Sequence, residues 1–190
     1  PVWGEISVTV QQLTERLEGK AACVDHRPEV AERWAIWRAE KERRQGETRG
    51  KGVHSAAIFA ALTRTVPDDA IIAVDVGNNT YSFGRYFEPT GQPVLMSGYL
   101  GSIGFALPAA MGAWAATLEG RRWSGRKVVS VPGDSGLGPY RAELSTLAKY
   151  KMDVTHVVLN NFELGKISKE QRAAELDVWE TTLVNPSFAA

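Results

Sequence analysis

The chain is short of several things. It has one cysteine, Cys23, in 190 residues, so no disulfide can form within it, and this suits a reducing, cytoplasmic setting. No apolar run approaches the ~20 residues that a membrane-crossing helix needs. Charge of neither sign prevails: Lys+Arg and Asp+Glu are 22 each. Without a basic excess, a nucleic-acid or anionic-membrane partner is not expected. No Gly-x-x-x-x-Gly-Lys-Ser/Thr stretch is present, which excludes a P-loop. His26, His54 and His156 are scattered without metal-ligand spacing. His156 reads as a satisfied core or edge histidine of a strand, and Cys23 as an inert thiol. There is neither an initiator Met nor a secretory leader at Pro1-Val2-Trp3-Gly4, and the chain is expected to be a piece of a longer protein.

What is present is an ordinary globular composition, 44% apolar and 23% charged, enough for a packed core. Ile6, Val10, Leu13 and Leu17 recur at helical spacing up to Gly19. From Asp25 to Lys51 the chain is dense in charge, with eight basic and six acidic residues. That mixture predicts the solvated face of a helix starting at Pro28. Gly46 to Gly52 reads as a linker and the main domain boundary. Beyond it the pattern alternates. Helices are predicted at Ser55 to Arg64, Phe105 to Leu118 and Tyr140 to Tyr150. Strands are predicted at Ile71 to Val76, Val94 to Met96, Lys127 to Val131 and Val154 to Leu159. The Ala-rich Phe105 to Leu118 segment is apolar nearly all round, as a buried helix would be. Such alternation predicts an α/β domain with an open parallel sheet and helices on both faces.

Open parallel sheets bind ligands at the carboxyl ends of their strands. Three of these ends offer glycines beside carboxylate or amide oxygens: Asp75-Val76-Gly77-Asn78-Asn79-Thr80, Pro132-Gly133-Asp134-Ser135-Gly136, and Asn160-Asn161-Phe162-Glu163-Leu164-Gly165-Lys166. If the ends are neighbours, they form a pocket of hard oxygens and free N–H groups, suited to Mg²⁺ and a diphosphate. A helix starting near Tyr140 would add its positive N-terminal end.

Gly133-Asp134, followed about 25 residues later by Asn160-Asn161, resembles the diphosphate-binding signature of thiamine-diphosphate enzymes. Met96 to Ala110, with Gly101-Ser102-Ile103-Gly104 inside it, resembles the family segment that cradles the aminopyrimidine. Asp75 to Thr80 resembles its first phosphate-side loop. The segment from Asn160 to Arg172 is most similar to the pyruvate oxidase and acetolactate synthase group. The resemblance implies the thiamine-diphosphate-binding fold, with residues 52–190 as the diphosphate-side domain, cut short at its C-terminal side. Residues 1–51 would be the end of a central domain plus a charged helical linker.

It further implies that Asp134 and the Asn161 side chain bind Mg²⁺, with the Glu163 carbonyl completing the protein ligands; the Glu163 side chain itself reads as a solvated carboxylate. Gly133, Ser135 and Gly136, with Asn78, Asn79 or Thr80, would contact the diphosphate, and Leu164 and Gly165 lie in the same cofactor-binding segment. The Gly101 carbonyl would accept from the aminopyrimidine amine, Ser102 lies beside it, and Ile103 would wedge the cofactor into its bent form. Ser135 departs from the family's Gly-Asp-Gly; its Cβ threatens to crowd the loop, with Gly136 taking over the flexibility.

The implied activity is decarboxylation of a 2-keto acid, pyruvate foremost, with the carbanion held by thiamine diphosphate and passed to an oxidant or a second keto acid. The activating glutamate belongs to a pyrimidine-binding domain of the same or a neighbouring subunit, in a homodimer or homotetramer, so no catalytic residue is expected within this chain. FAD, which some relatives carry, would bind elsewhere in the parent protein. The alternative is an inactive stand-alone binding or interaction module of the same fold, whose mark would be a damaged metal site; Asp134 and Asn161 are intact. An unrelated nucleotide-binding α/β domain would leave the order of the three segments to coincidence.

Overall fold

The structure is a computed structural model that describes residues 4–20, 24–48, 50–119 and 122–189. Cys23 lies outside them. The chain divides into two compact units, residues 1–40 and 41–190.

The first unit is helical. α1 (Ile6–Leu17) is capped by Glu5, whose side chain accepts from the Val8 N–H at 3.0 Å. Its apolar stripe of Ile6, Val10, Leu13 and Leu17 is exposed. α2 (Arg27–Gln45) starts one residue before Pro28, behind Asp25, which accepts from the Arg27 N–H at 3.0 Å. The division between units falls within α2, earlier than the Gly46–Gly52 linker. Lys41, with which the second unit begins, is buried and paired with Glu88 of the same unit at 2.8 Å.

In the second unit four parallel strands, β1 (Ile71–Val74), β2 (Val94–Met96), β3 (Val128–Val131) and β4 (Val154–His156), lie in the order β2-β1-β3-β4. The two central strands are apolar but for Ser130 and buried at every position, as a sheet covered on both faces requires. Alternation sorts their side chains. Ile72, Val74, Val129 and Val131 face α3 (Ser55–Thr65) and α4 (Asn78–Tyr86), packing on Ala56, Phe59, Phe83 and Tyr86. Ile71, Ala73 and Val128 face α5 (Ala106–Glu119) through Ala110 and Ala113, whose small side chains let the helix lie close on the sheet. The expected α/β architecture, an open parallel sheet with helices on both faces, is the one observed.

Several elements differ from their sequence expectation. α5 buries one face only, Ala106, Leu107, Ala110, Ala113 and Thr117, while Leu118 is exposed. The helix expected at Tyr140 to Tyr150 is two pieces, the end of a 3₁₀ segment at Gly138–Glu143 that begins around Pro139, and α7 (Leu144–Tyr150); a single turn, α6 (Asp134–Leu137), precedes them. β4 stops at His156, although a bridge between Gly133 and Leu159 extends its pairing with the β3 end. α4 and α8 (Gly165–Ala173) arise where the sequence reading assigned no helix, because Asn78-Asn79-Thr80 and Lys169-Glu170-Gln171-Arg172 lack an apolar period. His156 lies half-buried on the outer strand, and neither ring nitrogen has a partner among the described residues, so it is not a satisfied histidine.

Candidate functional site

The strand order reverses direction between β1 and β3: the chain passes from β1 to β2 on one side, then crosses to β3 on the other. In open α/β sheets the crevice at such a reversal is where ligands sit. Because β1, β3 and β4 are neighbours, their three C-terminal loops meet there, and they line a cleft of about 390 Å³.

Asp134 is among its walls, 3% exposed. Its backbone N–H donates to Leu159 O at 3.2 Å, which fixes it against the β4 side. The two carboxylate oxygens are unequal. Oδ2 accepts from the N–H groups of Asn161 (3.2 Å) and Phe162 (2.8 Å) and from the Asn185 side-chain amide (2.8 Å). Among the described residues Oδ1 accepts only from the Ser135 N–H, at 2.8 Å, and keeps lone-pair capacity for a cation. Phe162 adopts φ 58°, a left-handed conformation costly for a bulky residue, and two successive N–H groups, of Asn161 and Phe162, reach the one oxygen.

The cleft also brings in Asn161, Glu163, Leu164 and Gly165 from the β4 side, Gly133 and Ser135 beside Asp134, Asn78 and Asn79 from the start of α4, and Ile103 from the loop before α5. Thr80, Gly101, Ser102 and Gly136 are not among its walls. The Thr80 hydroxyl turns back to donate to the Asp75 carbonyl. Asn79 is buried and donates its amide to Val131 O at 3.1 Å, securing the end of β3. Of that trio Asn78 is held differently: its Oδ1 accepts from Lys169 Nζ at 2.6 Å. Ser102 donates its N–H to Ser97 Oγ at 3.2 Å, and Gly101 lies exposed beside it.

Ser135 sits in the first turn of α6 without a positive φ, so the backbone there does not require a glycine. Gly136 supplies close approach rather than flexibility: a Cβ there would collide with Asp75 Oδ2 and lie 2.8 Å from Asp75 Cγ. The positive helix end expected from Tyr140 is supplied instead at the start of α4, where the cleft reaches Asn78 and Asn79.

The Glu163 carbonyl accepts from the Gly165 N–H at 2.8 Å and retains one lone pair. Its side chain is not freely solvated: Arg172 lies 3.3 Å away, and the Ser168 hydroxyl, followed by Arg172, holds the carboxyl below its usual range against desolvation. Among the described residues no group of three or more His, Cys, Asp or Glu could hold a metal unaided. One carboxylate with amide and carbonyl oxygens leaves coordination positions to phosphate oxygens and water, a donor set that fits Mg²⁺ better than a metal needing an all-protein cage.

Sequence reasoning missed Asn185 and gave Asp75, within the Asp75–Thr80 segment, no role of its own. Asn185 donates to Asp134 Oδ2 and also to Asn160 Oδ1, at 2.9 Å. Asp75 is 1% exposed, and its Oδ1 accepts from the N–H groups of Val76 (2.8 Å), Gly104 (2.7 Å) and Phe105 (3.0 Å). Desolvation pushes its carboxyl up, against those same hydrogen bonds. An acidic residue ending a strand was the one signal in sequence for Asp75; nothing local marks Asn185.

Comparison with known proteins identifies the family. Residues 75–190 match the family model described as thiamine pyrophosphate enzyme, C-terminal TPP binding domain. The chain is 32% identical over 189 residues, 95% of its length, to YdaP of Bacillus subtilis (strain 168), a protein named for thiamine pyrophosphate, of which it covers 30%. It is 32% identical over 178 residues to the acetolactate synthase isozyme 3 large subunit of Escherichia coli (strain K12), covering 90% of this chain and 29% of that one. With sulfoacetaldehyde acetyltransferase of Castellaniella defragrans it shares 27% over 192 residues, 90% of this chain and 31% of that one. The chain thus spans about 30% of the length of these relatives. It belongs to the thiamine pyrophosphate enzyme family, as a C-terminal TPP-binding domain.

Proposed function

We propose that this family member holds the diphosphate of thiamine diphosphate through Mg²⁺ in the cleft between β1 and β3, as part of an enzyme that decarboxylates a 2-keto acid, pyruvate foremost, and passes the remaining fragment to an oxidant or a second keto acid. The observation that carries this reading is the divided carboxylate of Asp134, with Oδ2 consumed by three N–H donors and Oδ1 left for a cation. Relatives named as acetolactate synthases support the choice of reaction.

When bound, thiamine diphosphate supplies the electron sink for the decarboxylation. The chain's own residues bind and orient. Asp134 Oδ1, the Asn161 amide oxygen and the Glu163 carbonyl would hold Mg²⁺. The N–H groups opening α4, with Ser135 and Asn78, would meet phosphate oxygens, and Lys169 adds positive charge beside Asn78. Ile103 is a branched, stiff wall of the same cleft, suited to shaping what lies above the diphosphate. Beside it Tyr99 and Leu100 are 96% and 79% exposed, an apolar edge against which a pyrimidine-side domain of the same or a neighbouring subunit would pack. That domain would bring the proton-abstracting glutamate, so this chain alone should not turn over keto acid.

The test is calorimetric titration of thiamine diphosphate into the chain with Mg²⁺ and with EDTA, for wild type and Asp134→Ala. Binding that needs Mg²⁺ and vanishes in the variant is expected. Metal-independent binding that survives Asp134→Ala would refute the assignment.

A further inference from the structure

Asp75 takes no direct part in the site described above, yet it meets both the loop before α5 and the loop bearing Asp134. It ends β1. Its Oδ1 receives the N–H groups of Gly104 and Phe105, which immediately precede α5. Phe105 has no side chain able to cap that helix, so the carboxylate performs the capping from another element, where the charge also complements the helix end. Oδ2 is buried without a hydrogen-bond partner among the described residues and fills the space that Gly136 leaves open. The fit is tight on the far side as well: Gly104 has φ +92°, and a Cβ there would lie 3.2 Å from Gly136 O and collide with the Tyr140 ring. One side chain thus sets the separation between the loop bearing Ile103 and the loop bearing Asp134. A buried carboxylate with an empty oxygen is a costly way to fill a core, which points to a role in placement.

We propose that Asp75 is a positioning residue of the cofactor site: it caps α5 from the end of β1 and thereby holds the Gly101–Ile103 loop at a fixed height over the diphosphate loop. This rests on the reading of the cleft as a thiamine diphosphate site. Asp75 should therefore matter for the part of a ligand that extends beyond the diphosphate and not for the diphosphate itself. Asparagine keeps an oxygen for the two N–H groups and is itself a good helix cap, so Asp75→Asn should preserve the arrangement, whereas Asp75→Ala should release it.

The experiment compares wild type, Asp75→Asn and Asp75→Ala by amide hydrogen exchange and by calorimetry with two probes, Mg²⁺–thiamine diphosphate and Mg²⁺–pyrophosphate. Asp75→Ala is expected to speed exchange at Gly104 and Phe105 by about tenfold or more with β3 unchanged. It should weaken thiamine diphosphate by about tenfold while pyrophosphate stays within about threefold. Asp75→Asn should restore both. Asp75→Ser, which is equally too short to reach the N–H groups, replaces the alanine variant if that one does not fold. Unchanged exchange, equal losses for the two probes, or no rescue by asparagine would overturn the proposal. A wild type that binds neither probe would refute the cofactor reading, and the exchange data would still decide whether Asp75 holds the loop.

Discussion

Asn185 and Asp134, 51 residues apart, are joined by a 2.8 Å hydrogen bond from the Asn185 amide to Asp134 Oδ2. The same amide nitrogen donates to Asn160 Oδ1, so a residue near the end of the chain spans the β3 and β4 loops. Outer partners of a metal-binding carboxylate set its orientation, and losing one typically costs tenfold or more in metal affinity. Asn185→Ala is accordingly expected to weaken Mg²⁺-dependent binding of thiamine diphosphate by about tenfold with a small change in melting temperature. Isothermal titration at varied Mg²⁺ checks this. Unaltered affinity would mean that the Asn161 and Phe162 N–H groups suffice to orient the carboxylate.

Two substitutions in the Asp134 loop should act in opposite ways to a simple ranking by glycine content. Gly136→Ala adds one methyl group where Asp75 leaves no room, so it should cost about 1–3 kcal/mol by overpacking. Ser135→Gly restores the family residue but removes a side chain from the first turn of α6, where the backbone has no positive φ that calls for glycine. It should cost about 0.5–1 kcal/mol instead of improving the loop. Urea unfolding of both variants measures the difference; a stabilising Ser135→Gly would show that the serine strains the turn.

These cases mark how far the sequence alone reached. Strands β1 and β3 were legible because buried parallel strands are unbroken apolar runs. The three ligand-bearing loops were legible because each follows such a run with glycine and oxygen-bearing residues. The structure gathers Asn78, Asn79, Ile103, Gly133, Asp134, Ser135, Asn161, Glu163, Leu164 and Gly165 around one cleft and leaves Thr80, Gly101, Ser102 and Gly136 outside its walls. Thr80 and Asn79 were not separable from Asn78 by pattern, since which side chain turns back to the sheet depends on where α4 begins. Asn185 and the capping role of Asp75 depend on contacts 29 to 51 residues distant and leave no local trace. The glycine requirement at 136 likewise comes from a side chain on another strand, not from its own φ.

Lys169 offers a test of the electrostatics. It reaches Asn78 Oδ1 at 2.6 Å from α8 and is exposed. Lys169→Met removes both a charge and the anchor of Asn78, and should weaken thiamine diphosphate by about three- to tenfold at low salt. The deficit should narrow as salt is raised, because an exposed charge is screened. A deficit independent of salt would assign the effect to Asn78 alone.

His156 should make the fold sensitive to acid. Burial holds its pKa below the ordinary 6.5, and neither ring nitrogen has a partner among the described residues. Its neighbour in register, Ser130, has a buried hydroxyl that is also without a partner among the described residues. The unfolded chain takes up a proton near the ordinary value, whereas the folded chain resists until a lower pH. The contribution of the neutral ring is therefore fully present above the unfolded pKa and is lost as pH falls from there through the folded value. Over that window one proton changes stability by at most about 1.4 kcal/mol per pH unit. His156→Leu should flatten this part of the stability–pH curve, so that urea unfolding of wild type and variant diverges below about pH 6.5 and runs parallel above it. Curves parallel throughout would mean that water reaches the ring and that its two bare nitrogens cost the fold nothing on protonation.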